Sequence, residues 1–175
     1  LAYNEIGDVG ASALARALLE AESSLALDVG HNELGDIGAT AMANAVRVSG
    51  CLKRISFGNN TIGDAGVRAL ADALKCNASV EVVDLDCNHI SDDGAIAIAE
   101  ALLHNVSVTR LSLARNEIAD EGTSALADAL LVNTSVTEVN LQFNFVGDVG
   151  ALDMADAMRV NSSVVRIDLE ENGIS

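Results

Sequence analysis

Asn4, Asn32, Asn60, Asn88, Asn116, Asn144 and Asn172 follow one another at intervals of 28 residues without exception. A period of that length means that one supersecondary unit is built repeatedly, and that each unit buries its apolar face only against its neighbours. With each Asn taken as position 0, position −3 reads Leu1, Val29, Phe57, Leu85, Leu113, Leu141 and Leu169. Position −5 reads Leu27, Ile55, Val83, Leu111, Val139 and Ile167, and position +2 reads Ile6, Leu34, Ile62, Ile90, Ile118, Val146 and Ile174. Apolar residues at −5 and −3 with polar ones between them predict a short strand with one buried face.

A second apolar set follows with a different period. In the first unit it is Ala11, Leu14, Ala15 and Leu18, and in the fifth Thr123, Leu126, Ala127 and Leu130. The i, i+3, i+4, i+7 spacing is one stripe of an amphipathic helix. Asp8, Asp36, Asp64, Asp92, Asp120 and Asp148 at +4 stand at its start. A carboxylate there accepts orphan backbone N–H groups and meets the positive end of the helix dipole. Gly10, Gly38, Gly66, Gly94, Gly122 and Gly150 at +6 are expected to let the helix approach the strand closely.

Each unit therefore reads strand, loop, helix, loop. Half the residues are hydrophobic, yet the aromatics are only Tyr3, Phe57, Phe143 and Phe145, and there is no proline. Narrow layers of Ala, Leu, Val and Ile suit a stack better than a globular centre. Parallel strands lie about 4.8 Å apart, whereas packed helices need roughly 8–10 Å. The array must curve, with strands on the inner face. The repeated Asn lies between buried positions −3 and +2, so its amide is expected to bond backbone groups left unpaired where the chain turns inward, forming a ladder up the stack.

The stretch SVTRLSLARNEIADEGTSALADALLVN, residues 107–133, resembles the ribonuclease-inhibitor type of leucine-rich repeat, which also occurs in NOD-like receptors and Ran GTPase-activating proteins. The resemblance extends over the whole chain. It implies a right-handed α/β horseshoe, with a parallel β-sheet on the concave face, α-helices on the convex face and protein binding as the usual activity. The uniform period and low cysteine content look more like NOD-like receptor repeats than like the inhibitor itself. Ser24 departs from the pattern at −8, where later units have Leu52, Val80, Val108, Val136 and Val164; Leu25 is expected to compensate one residue along, at the cost of a less regular strand. Residues 1–175 read as one leucine-rich-repeat domain of about six repeats. They open on a strand residue and stop before a seventh helix, without polar capping units, as expected for a segment of a longer protein.

A net charge of −16 argues against nucleic acid, which demands Lys and Arg. It disfavours anionic membranes and favours basic or mixed-charge partners. No apolar run approaches the roughly 20 residues of a membrane helix. Cys51, Cys76 and Cys87 form an odd set without CxxC spacing, which reads as reduced thiols and a cytoplasmic location.

Outward strand positions vary while core positions repeat, which leaves the concave face free to encode a partner. Position −6 reads Ala26, Arg54, Val82, Arg110, Glu138 and Arg166; position −4 reads Asp28, Ser56, Asp84, Ser112, Asn140 and Asp168; position −2 reads Gly30, Gly58, Asp86, Ala114, Gln142 and Glu170. The first two strands thus offer small residues near −2, and the last four carry mixed charge. Arg110, Glu138 and Arg166 share one column about 5 Å apart per step. They form either an Arg-rich groove for an acidic or mixed-charge peptide or a self-satisfied ion ladder of little energetic worth. Phe143 and Phe145, at −1 and +1, are an aromatic anchor beside this column or are partly buried in the loop core.

No cofactor, metal or catalytic set stands out. Asp72, Glu100, Asp128 and Asp156 recur at +12, but on helices too far apart for one cation to collect, so they read as a solvated stripe. Cys87 and His89 flank Asn88 without the further ligands zinc needs. The sequons at Asn77, Asn105, Asn133 and Asn161 all fall at +17 and are expected to be left-handed helix caps; Asn59 begins another. The leading reading is a protein-binding scaffold or ligand-sensing segment, not an enzyme. The alternative is a GTPase-activating protein resembling the Ran activators, in which Arg54, Arg110 and Arg115 would merit testing.

Overall fold

The structure, a computed structural model, describes residues 1–20 and 25–175. Helices and strands alternate: α1 (Asp8–Leu18), β1 (Leu25–Asp28), α2 (Asp36–Val48), β2 (Leu52–Ser56), α3 (Asp64–Leu74), β3 (Val82–Asp84), α4 (Asp92–Leu102), β4 (Arg110–Ser112), α5 (Asp120–Leu130), β5 (Glu138–Asn140), α6 (Asp148–Val160) and β6 (Arg166–Asp168). The strands form one open parallel sheet in chain order. Register advances by one period per step, so that Val82 pairs with Arg110, Arg110 with Glu138, and Glu138 with Arg166. This is the expected leucine-rich-repeat solenoid, with strands on the concave side and helices on the convex side. Ser24 lies outside the described residues. Leu25, however, is in register with Leu52 while Ala26 is in register with Arg54, so a bulge lets the backbone at Leu25 take the −8 place.

The strand and helix stripes close on each other to form one continuous core, with Leu85, Ile90, Leu113, Ile118, Leu126 and Leu130 among its fully buried side chains. Polar groups run through it. Asn116 Nδ2 donates to Leu113 O at 3.0 Å and Ala114 O at 3.2 Å in its own unit, and to Leu85 O at 3.1 Å in the unit before. Its Oδ1 accepts from Ile90 N at 3.1 Å. Asn32, Asn60, Asn88 and Asn144 repeat the scheme, and each is buried.

The regular spacing of Asp and Gly acquires a different meaning between units. Each +4 aspartate is the first residue of its own helix, and its Oδ1 accepts from the next helix: Asp92 binds Ala119 N at 2.8 Å and Gly122 N at 2.9 Å. The positive end of every helix from α2 to α6 is thus capped by the preceding unit. The +6 glycine does not serve contact with the strand, as its position suggested. A Cβ on Gly122 would stand 2.7 Å from Asp92 Oδ1, 2.8 Å from Ala95 Cβ and 3.0 Å from Asp92 Cα. Alanine here gains up to about 1 kcal/mol of helix propensity but forces helix backbones apart, an overpacking cost of roughly 1–3 kcal/mol. Gly122→Ala is therefore expected to lower stability by about 1–2 kcal/mol in urea unfolding. At Gly50, where nothing lies within 4 Å of an added Cβ, the same change should be close to neutral.

The sequon asparagines are not left-handed caps. Asn161 has φ −72°, and none of Asn77, Asn105, Asn133 and Asn161 has a positive φ. They form a second ladder on the opposite edge of the core. Asn105 Nδ2 donates to Leu74 O at 2.8 Å and Asn77 O at 2.9 Å, and its Oδ1 accepts from Ser107 N and Val108 N. Among the described residues the left-handed ones are those at −1: Tyr3, His31, Asn59, Cys87, Arg115, Phe143 and Glu171. Each N–H from Tyr3 to Phe143 along this column donates to the −2 carbonyl of the following unit.

Candidate functional site

The strand alternation sorts the concave face into rows. At −6, Arg54, Arg110 and Arg166 are exposed and Val82 and Glu138 half-buried; the −5 residues from Leu27 to Val139 turn into the core. An open concavity of about 280 Å³ lies over β2 to β6, lined by Arg54, Val82, Asp84, Arg110, Glu138 and Arg166 among others. The small residues at −2 are not a floor left open for a ligand. Gly30 and Gly58 are buried, and a Cβ on Gly30 would lie 3.0 Å from Gly58 O. They are small because neighbouring backbones meet there.

The arginine column is only half paired. Arg110 Nε donates to Glu138 Oε1 at 3.1 Å. Arg166 turns away from Glu138 and reaches Asp168 at 2.6 Å, and this guanidinium draws the Asp168 carboxyl below the usual carboxylate range. Arg54 has no hydrogen-bond or ion-pair partner among the described residues.

Toward the −2 edge the face becomes acidic. Asp84 Oδ2 accepts from Ser56 Oγ at 2.7 Å, and Asp86 Oδ1 accepts from Ser112 Oγ at 2.6 Å and Ala114 N at 2.8 Å. Burial pushes the Asp86 carboxyl up, against the Ser112 hydrogen bond and with help from the Asp84 charge. A carboxyl raised on folding favours the folded state when protonated. That contribution is complete below the unfolded pKa of about 4 and is lost as pH rises through the folded value. Asp86→Asn keeps an acceptor for Ser112 and Ala114 and removes the charge. It should gain stability at neutral pH relative to the native chain but not near pH 3, by under about 1 kcal/mol because the group is partly solvated. Thermal unfolding at the two pH values measures this.

The left-handed −1 column turns its side chains onto the rim of the groove. Arg115 Cζ lies 3.9 Å from the centroid of the Phe143 ring, and the Tyr3 and His31 rings stack at 4.0 Å. Phe145 is 67% exposed and Phe143 39%, so Phe145 stands out from the rim while Phe143 is partly covered. The Tyr3–His31 stack and the Arg115–Phe143 contact have no signature in residue type; only the shared column hints at them.

His89 Nδ1 lies 3.3 Å from Glu117 Oε1, and burial raises the Cys87 thiol. Among the described residues no group of three or more His, Cys, Asp or Glu is placed to hold a metal ion, and no helix is long and apolar enough to cross a membrane. On the helical stripe, Lys75 bridges Asp72 at 3.1 Å and Glu100 at 3.4 Å, while Arg159 holds Asp156 at 2.7 Å.

No curated protein matches the chain in sequence. Among solved structures it is similar to "Leiomodin-1 Actin-Binding Site 2 (ABS2)", with a TM-score of 0.68 and 18% sequence identity, covering 85% of this chain and 86% of that one. At that identity the likeness is one of fold. The family described as "Leucine Rich repeat" matches residues 1–15, 25–43, 49–71, 76–99, 104–127 and 132–155. Since these segments make up well over half of the chain and succeed one another turn by turn along the solenoid, the chain belongs to the leucine-rich-repeat family.

Proposed function

We propose that the chain binds a protein along its concave strand face, as a scaffold or ligand-sensing segment whose repeats are of the ribonuclease-inhibitor-like type found in NOD-like receptors. The contrast between columns carries this reading. Core, ladder and capping positions repeat from unit to unit, whereas the outward row from Arg54 to Glu170 does not. Within that row Arg54, Ser56, Val82, Asp84, Asp86, Arg110, Ser112, Glu138, Asn140, Gln142, Arg166, Asp168 and Glu170 make the contacts, and Phe143 and Phe145 supply an aromatic anchor at the rim. A solved structure of similar fold is itself named an actin-binding site, an instance of this architecture holding a protein. The partner is basic or of mixed charge, as the net charge of −16 favours, and it is met in the cytoplasm, where Cys51, Cys76 and Cys87, none of them in a disulfide, stay reduced.

The test is affinity capture from cell extract with the native chain and with Arg110→Glu/Arg166→Glu. Both arginines are exposed, so the variant should fold normally and lose its specific partner. A variant that retains every partner would sink the concave-face reading. Arg54, whose guanidinium has no partner among the described residues, favours a second reading, a GTPase-activating protein of the Ran-activator type, in which Arg54, Arg110 and Arg115 are the residues to test. Rates of GTP hydrolysis by small GTPases that do not change on adding the chain would remove it.

A further inference from the structure

On the reading that the concave face binds protein, we infer that its occupant is an α-helix carrying carboxylates along one flank and Lys or Arg along the other. The groove is electrically polarised across its width. Along the −6 row, in strict register, stand Arg54, Val82, Arg110, Glu138 and Arg166. Along the −4 and −2 rows stand Asp28, Asp84, Asp86, Asp168 and Glu170. A wholly basic partner would meet the guanidinium row, and a wholly acidic one the carboxylate rows; like charges face each other in either case. Only a segment with its two signs on opposite flanks satisfies both.

The valences needed are open. Arg54 has no partner among the described residues, and Arg110 is engaged through Nε alone. Asp28 receives Gly30 N on Oδ1, and Glu170 receives Gln142 on Oε2; the second oxygen of each accepts nothing among the described residues.

Dimensions select the helix. The −6 and −2 rows are four residues apart along a strand, roughly 13 Å, close to the 10–12 Å or so across a helix with its side chains. The three arginines stand on alternate strands, about 10 Å apart. Carboxylates seven residues apart on a helix repeat on one flank at about 10.5 Å. An extended strand offers same-flank side chains at about 7 or 13 Å, and neither matches.

Two fluorescein-labelled helical peptides of identical composition test the inference by fluorescence anisotropy at low ionic strength. One carries Glu along one flank and Lys along the other; its companion interleaves Glu and Lys on both flanks. The segregated peptide should bind at least about tenfold more tightly. Arg54→Glu/Arg166→Glu should abolish that preference while leaving the circular dichroism spectrum unchanged. Equal affinity for the two peptides, failure to bind either, or tighter binding of an extended peptide of the same charges each overturns the inference. The capture experiment with Arg110→Glu/Arg166→Glu reads the concave face independently, so a two-flank helix can fail while the protein-binding reading stands.

Discussion

Asn116→Ala is expected to lower stability by about 3 kcal/mol, measured as the free energy of urea unfolding. The reason lies in which groups lose their only partner. The carbonyl of Leu113 also accepts from Asn144, that of Leu85 from Asn88, and that of Ala114 from Cys87 N. These oxygens remain satisfied. Ile90 N–H has Asn116 Oδ1 as its acceptor, and Ile90 itself is fully buried. Removing the amide leaves that donor orphaned inside the core, at roughly 1–3 kcal/mol, and opens a polar void to which the amide's own three hydrogen bonds are lost. Asn4 occupies the same column but is exposed, and among the described residues its side-chain amide donates only to the nearby carbonyls of Leu1 and Ala2. Asn4→Ala should cost less than about 1 kcal/mol. Equal losses at Asn4 and Asn116 would show that the ladder is not what the asparagine provides.

Asn105→Ala should cost a comparable amount, about 3 kcal/mol, although its sequence context reads as a glycosylation acceptor. Asn105 is 3% exposed. Its Oδ1 accepts from the N–H groups of Ser107 and Val108, and its Nδ2 ties the end of α3 to the following turn through Leu74 O and Asn77 O. Truncation orphans two backbone donors at once, each worth roughly 1–3 kcal/mol in a buried setting. It also unlinks two units, so the loss should appear as reduced cooperativity as well as a lower midpoint. A glycan on the folded chain would have to displace the same hydrogen bonds. Of the sequon asparagines, Asn59 alone is exposed, so an acceptor test on folded chain should modify that position and spare Asn105. Loss of well under 1 kcal/mol for Asn105→Ala would reduce the second ladder to decoration.

Much of the architecture was legible in one dimension. The Asn period sets the unit, the alternation at −5 and −3 sets the strand, and the Leu and Ala stripe sets the helix. These are local patterns, and repetition multiplies their signal: Leu113, Ile118 and Leu126 are buried because the residues one period away require it. The irregular first strand was legible too, since Ser24 breaks the −8 column and the bulge falls beside it. The outward row could likewise be read as exposed, because strand residues alternate.

Partner choice was not legible, and the repeat itself is the reason. When every unit carries the same residues, a contact within a unit and the same contact displaced by one period look alike in the chain. Asp92 stands next to its own helix yet caps α5. Gly122 is small for the sake of Asp92 and Ala95 rather than its own strand. Asn105 closes α3 of the unit before it. The distances between stacked backbones decide these pairings, and those distances exist only once the solenoid has curved. Side-chain torsions decide the rest: Arg166 selects Asp168 over Glu138, and Arg115 lies on Phe143. The arginine column therefore emerges half paired, neither a closed ion ladder nor a bare basic groove, and Arg54 is left with its guanidinium unengaged among the described residues.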